Sequence, residues 1–148
     1  INGGATRHGS EYQALMYLEK DISAGDVDVV LIHDGARPLA TPDLYRKIAQ
    51  VAYEEGGAIP TTAINPVEID TNHNTQIVRV QTPQGFRAKE LLQAYKAAQA
   101  DGFVGTDTGA CVEKYFPEIK AVAVEAEVAN LKITFAEDLK VAQALLTS

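Results

Sequence analysis

The sequence predicts an α/β fold, a mainly parallel sheet with helices on both faces. Three observations lead there. Stretches with apolar residues three and four apart alternate along the chain with short β-branched runs, the order that lays helices over a parallel sheet. The run VDVVLI at 27–32 is almost continuously apolar, as in a strand buried on both faces. The 148 residues contain no internal repeat, low-complexity tract or Pro/Gly/Ser-rich linker, which fits one domain large enough for its own core.

Each element has a local reason. Leu15, Leu18 and Ile22 form one apolar face over 11–24, with Ser10 as N-cap and Gly25 as terminator. The strand at 27–32 runs into HDGARP, closed by Pro38. Thr41 caps a helix with Pro42 at its first position. Leu44, Ile48, Val51 and Ala52 make its buried stripe, and Gly56-Gly57 end it before a strand at 58–63. The 65–74 segment is polar and turn-rich, and 76–80 reads as a short strand. A helix over 88–99 turns Leu91, Leu92, Tyr95 and Ala98 inward. Thr106 or Asp107 starts another, running to Tyr115. A strand at 119–124, a short extended piece at 131–134 and a helix at 137–146, with Leu139, Ala142 and Leu145 inward, complete the chain.

Composition narrows the function. Thirteen Lys and Arg against twenty Asp and Glu give a net charge of −7. That argues against a general nucleic-acid binder, which needs clustered cations, but leaves room for a single nucleotide. One cysteine, Cys111, excludes an internal disulfide and a cysteine-rich zinc site and fits a cytoplasmic protein. No apolar run reaches membrane-spanning length, and no membrane partner is expected. With no signal peptide and no initiator methionine, the chain is expected to begin inside a longer protein.

Ligands of open α/β sheets bind beyond the carboxyl ends of the strands, and HDGARP occupies such an end. Asp34 there is suited to a divalent metal or a ribose hydroxyl, and Arg37 to a phosphate. Gly35 would allow close backbone approach; the alternative is that Asp34 and Arg37 simply pair. His33 reads as a hydrogen-bonded structural residue rather than a catalytic base, and His8 and His73 as surface residues. In NLKIT, Lys132 sits between Leu131 and Ile133. Turned inward it must find an anion; in an alternating strand it faces water. GTDTGA, with Thr106, Asp107 and Thr108, offers a helix start that caps itself or meets a phosphate. QTPQGF, with Gln81, Thr82 and Gln84 around Pro83, reads as a turn leading into the next helix, and Gly3-Gly4 as a turn near the start.

In their order, GGATRHGS, VDVVLIHDGARP, QTPQGF, GTDTGACVE and NLKITFAEDLKVA resemble the IspD family of 2-C-methyl-D-erythritol 4-phosphate cytidylyltransferases from end to end of the chain. The resemblance implies a Rossmann-like sheet of the nucleotide-diphospho-sugar transferase type, here lacking its first strands. Residues 1–148 would be the carboxyl-terminal two-thirds of a single domain. It implies transfer of CMP from CTP to a sugar-alcohol phosphate with release of pyrophosphate, using Mg²⁺, in a homodimer. By position, Gly3, Gly4 and Ser10 would hold the cytosine. Asp34 would meet the metal, ribose and substrate. Arg37, Thr71, Thr82 and Thr106 would line the acceptor site, and Lys132 would offset charge at the α-phosphate.

Two departures from the family pattern set alternatives. The glycine-rich triphosphate loop and its lysine are absent, so the chain starts about two βα units late, on the order of 60 residues. Alone it should bind CTP poorly, and an inactive binding module that dimerises through the vacated surface is the competing expectation. The family's cross-subunit arginine has no clear counterpart, Arg79 being the one arginine nearby. That leaves ribitol 5-phosphate as an alternative acceptor.

Overall fold

The computed structural model describes residues 1–63 and 78–147. Its elements run α1 (Arg7–Tyr17), α2 (Glu19–Ala24), β1 (Val29–Ile32), α3 (Pro42–Glu55), β2 (Gly57–Ala63), β3 (Val78–Val80), β4 (Gln84–Arg87), α4 (Ala88–Asp101), α5 (Thr108–Tyr115), β5 (Val122–Glu125) and α6 (Ala136–Thr147).

Helices cover both faces of the sheet, as expected, and each face has its own core. Leu15, Ile22, Phe86, Leu91, Tyr95 and Val112 pack on one side, built from α1, α2, α4 and α5. Ile48, Ala52, Ala58 and Val124 pack on the other, under α3. Strand β1 shows the two-residue period directly: Val30 and Ile32 join the first core, Val29 and Leu31 the second. None of the four is fully buried, unlike the doubly buried strand the sequence predicts. Among the described residues β1 has a neighbour, β4, on one side only.

The sheet is not mainly parallel in its described pairings. β1–β4, β4–β2 and β2–β3 are antiparallel, and β2–β5 is parallel. The reason is β4, which the sequence reading takes as a turn. It runs between β1 and β2, opposite to both. Gln84 and Gly85 have low strand preference, yet glycine is needed here. A Cβ at Gly85 would come within 2.7 Å of Leu31 and 2.8 Å of Ile48, so α3 could not close on the sheet.

A strand has two edges, and β5 occupies one edge of β2. β3 and β4 share the other, as two halves of one bent strand. Between the Ala58–Gly85 and Thr61–Val80 pairs, β2 spends two residues and the facing chain four. The surplus is a bulge at 81–84, where the Gln81 amide donates to the Pro60 carbonyl (2.8 Å). Such bulges bend a strand and redirect its side chains. The Thr82–Pro83 peptide within it is cis.

Other departures are local. Thr6, not Ser10, caps α1, its side chain accepting from the Gly9 amide, so the helix starts four residues early. It breaks at Leu18 instead of running through to Ala24. Gly25 ends α2 at φ 83°, in the left-handed region. His8 is buried rather than on the surface, stacked on Tyr95 at 4.6 Å. Residues 131–134 form no strand, though the Ile133 amide donates to the Ala36 carbonyl (2.8 Å). In α6 only Ala142 is buried, while Leu139 and Leu145 are exposed. The expected strand at 76–80 is described only from Val78, and the 65–74 segment, with His73, lies outside the described residues.

The start of α6 is held by Asp138, whose carboxylate accepts from the Phe135 amide (2.9 Å) and the Thr134 amide (2.7 Å). These bonds favour the ionised form and lower the Asp138 pKa. The folded value lies below the unfolded one, so the stabilisation is complete above the unfolded pKa of about 3.9 and is lost as pH falls through the folded value. Asp138→Ala should therefore lower the unfolding midpoint at pH 7, by an amount that shrinks as the pH falls through the folded pKa. An effect that does not shrink on acidification would refute the cap.

Candidate functional site

β1 ends at Ile32, and its continuation, 33–38, meets the strand bend at 81–84. The Thr82 hydroxyl accepts from the Asp34 amide (2.9 Å) and contacts His33 Nδ1 (3.2 Å). His33 Nε2 lies 3.1 Å from the Arg37 carbonyl. A carbonyl only accepts, so Nε2 carries the proton, and in the neutral ring Nδ1 then accepts from Thr82. His33 is thus a structural residue, as expected. It closes the loop on itself and orients the threonine.

Asn130 ties this pair of segments to a third. It is buried, its amide nitrogen donating to Gln81 Oε1 (2.8 Å) and the Thr82 carbonyl (3.0 Å). Its own carbonyl accepts from the Arg37 guanidinium (2.7 Å). Two residues on, Lys132 reaches the Asp34 carboxylate at 2.9 Å. Lys132 does find an anion, Asp34, although it is about half exposed (48%) rather than turned fully inward. The possible Asp34–Arg37 pair is replaced by Asp34–Lys132. Burial lowers the Arg37 pKa, with the charge of Asp34 acting in the opposite direction.

Gln84 extends the network to the 106–109 turn. Its side-chain nitrogen donates to Asp107 (3.1 Å) and its oxygen accepts from the Gly109 amide (3.1 Å). Asp107 also caps α5 by accepting from the Ala110 amide (2.8 Å), the self-capping alternative for this segment. The result is a cavity of about 220 Å³ lined by Asp34, Arg37, Thr82, Thr106 and Lys132 together with Arg7, Gln84 and Asp107.

Five residues singled out from the sequence therefore converge. Gly3, Gly4 and Ser10 stand apart from that lining, in a turn at the start of α1 where the Gly4 amide donates to the Ser10 hydroxyl (3.0 Å). Gly4 must be glycine, because a Cβ would sit 2.4 Å from the Gly9 backbone. Nothing in the protein demands one at Gly35, where a Cβ would meet no atom within 4 Å. Thr71 lies outside the described residues. The sequence reading gave no role to Asn130 or Arg7, and placed Gln84 in a turn. A lone Asn before an apolar stretch carries only a turn signal, and Gln84 was hidden with its strand.

Among the described residues no three His, Cys, Asp or Glu side chains gather as a metal site. Two carboxylates line the cavity. Asp107 is committed to a backbone amide and Gln84, leaving Asp34 as the available donor. One carboxylate suits Mg²⁺, which is commonly held by one or two carboxylates plus substrate phosphates and waters. No helix of the described residues is long and apolar enough to cross a membrane.

The family model for 2-C-methyl-D-erythritol 4-phosphate cytidylyltransferase (IspD) matches residues 1–148. The chain is 35% identical over 158 residues to a protein of that name from Chlorobaculum parvum, covering 99% of the chain and 64% of the relative. It is 37% identical over 154 residues to one from Bacillus cytotoxicus, covering 99% and 65%. It thus spans just under two-thirds of the length of these curated relatives. Its fold superposes on the crystal structure of the Thermus thermophilus protein of the same name with a TM-score of 0.80 and 29% identity, covering 100% of this chain and 73% of that one.

The hydrogen-bond assignment at His33 is open to direct measurement. Nitrogen-15 NMR at neutral pH should find the neutral ring protonated at Nε2, and Thr82→Val should perturb its Nδ1 resonance. A ring protonated at Nδ1 would overturn the assignment.

Proposed function

Because this chain belongs to the 2-C-methyl-D-erythritol 4-phosphate cytidylyltransferase family, we propose that it forms the acceptor-side and catalytic part of an enzyme moving CMP from CTP to 2-C-methyl-D-erythritol 4-phosphate. The observation that carries this reading is the convergence of Asp34, Arg37, Thr82, Thr106 and Lys132 on one cavity from four separate stretches of sequence.

An oxygen of the acceptor's phosphate attacks the α-phosphorus of CTP in line with the departing pyrophosphate. One bond to oxygen forms and one breaks, with no covalent intermediate on the protein. Such transfers depend on positioning and on compensating charge. Lys132 is the mobile cation of the site. Half exposed and resting on Asp34, it can turn to a phosphate and offset the charge that develops there. Arg37 is the fixed cation, tethered by one nitrogen to the Asn130 carbonyl, while its Nε is buried without a partner. Thr106 supplies a hydroxyl for orienting the acceptor. Thr82, its proton given to His33, offers its remaining lone pair to a hydroxyl of the acceptor, and the Gly3–Gly4–Ser10 turn supplies backbone and hydroxyl groups for the base. Asp34 would hold Mg²⁺, which when bound would neutralise phosphate charge.

The expected homodimer belongs to the same proposal and rests on membership of the family. Sedimentation of the complete protein tests it, a single species of monomer mass being the contrary result.

In the complete protein, Lys132→Ala should lower kcat by about 10²–10³, the usual cost of removing one group aimed at developing charge, with a much smaller change in KM. Asp34→Asn should abolish the Mg²⁺ dependence along with most of the activity. A Lys132→Ala enzyme within a few-fold of wild type would refute the charge-offsetting role.

A further inference from the structure

Position 11 breaks the apolar pattern that runs through α1 and α2. Leu15, Leu18 and Ile22 follow it on the core face, yet position 11 is a glutamate whose side chain is only 8% exposed. A buried carboxylate is costly unless paired and hydrogen-bonded. Glu11 is both. One oxygen accepts from Arg7 at 2.8 Å, and the other from the Tyr95 hydroxyl in α4. Burial, and then Glu11, raise the Tyr95 pKa, so the phenol keeps its proton and remains a donor. Thr108, buried in the first turn of α5, acts on the same phenol in the opposite direction and lowers its pKa. His8 stacks on the Tyr95 ring from α1.

The second arm of Arg7 leaves this cluster. It donates to the Thr106 carbonyl at 3.1 Å, and Arg7 lines the cavity beside Asp34, Arg37 and Lys132. The result is a chain of contacts that runs from Tyr95 through Glu11 and Arg7 to the Thr106 carbonyl. At one end of the last link is the α1 start, whose first turn carries Ser10 and is preceded by Gly4. At the other is the turn that carries Thr106. These are the base-side and acceptor-side halves of the site, far apart in sequence. An apolar pair at positions 11 and 95 would fill the same space but would leave the guanidinium without a fixed seat.

We propose that Arg7, seated on the buried Glu11–Tyr95 pair, is a positioning residue that ties the α1 start to the 106–108 turn and so fixes the two halves of the site relative to each other. The proposal rests on the reading of the cavity as a cytidylyl-transfer site for its kinetic consequences, but the tie itself does not depend on that reading. A planar guanidinium donates in two directions at once, which an ammonium on a flexible stem does not reproduce.

The test uses the complete protein with Arg7→Met, Arg7→Lys, Glu11→Gln and the Arg7→Met/Glu11→Gln double variant. Glu11→Gln leaves Tyr95 an acceptor and should fold. Hydrogen exchange of amides 107–110 should accelerate about tenfold in each single variant, and no further in the double, because both break the same tie. Arg7→Lys should not restore the wild-type rate. In steady-state kinetics the acceptor KM should rise about tenfold in the same variants, with kcat changed by less than about threefold. Unchanged exchange at 107–110, full rescue by lysine, or additive effects in the double variant would each overturn the tie. A wild-type protein inactive with CTP and acceptor, but showing the exchange pattern, would sink the functional reading and leave the tie standing.

Discussion

The structure turns on a mismatch in one strand pairing. Where β2 spends two residues, the chain facing it spends four, and the surplus of two is taken up between Gln81, still bonded to Pro60, and Gln84 in β4, which pushes out Thr82 and Pro83. Without that bulge the segment would continue the ladder, and Thr82 would lie on a sheet face. With it, Thr82 meets the Asp34 amide at the end of β1, Gln81 meets Asn130, and Gln84 reaches the start of α5. The site is the meeting point of loops that the bend brings within hydrogen-bonding range.

Asn130 is what keeps the bend in register with its neighbours. It satisfies Gln81, the Thr82 carbonyl and Arg37 from one buried position. Buried polar groups linked this way specify one arrangement, because each lost partner strands another. Arg37 is tied into that scaffold, while two other charged groups sit outside it. Lys132 and Asp34 are partly exposed and pair with each other, an exchangeable contact of small intrinsic worth. A rigid frame with one fixed cation and an exchangeable ion pair suits chemistry in which phosphates must arrive, react and leave.

Much of this was legible in the sequence. The helices α3 and α4 follow from apolar spacing and from caps such as Thr41, and the faces they bury are the faces observed. The HDGARP strand end and Lys132 were recognisable because residue types able to hold phosphate sat where α/β sheets place ligands. What escaped notice was set by tertiary context. β4 is a strand because Gly85 lets α3 close over it, not because QGFR prefers extension. The apolar spacing of 11–24 carries no sign that Glu11 is buried, since its burial depends on Arg7 and Tyr95, the latter 84 positions away. The amphipathic reading of α6 placed Leu139 and Leu145 inward, yet they are exposed among the described residues. Periodicity defines a face, but not what lies against it.

The most direct test of this account is the exchange rate of the Asp34 amide, which donates to Thr82 only while the bend is held. In Asn130→Ala, that amide should exchange at least about tenfold faster, while the slow core amides of α4 around Leu91 and Tyr95 keep their wild-type rates. An Asp34 amide that stays as protected as in the wild type would mean that the bend holds itself, and that Asn130 is not the clamp on which the site depends.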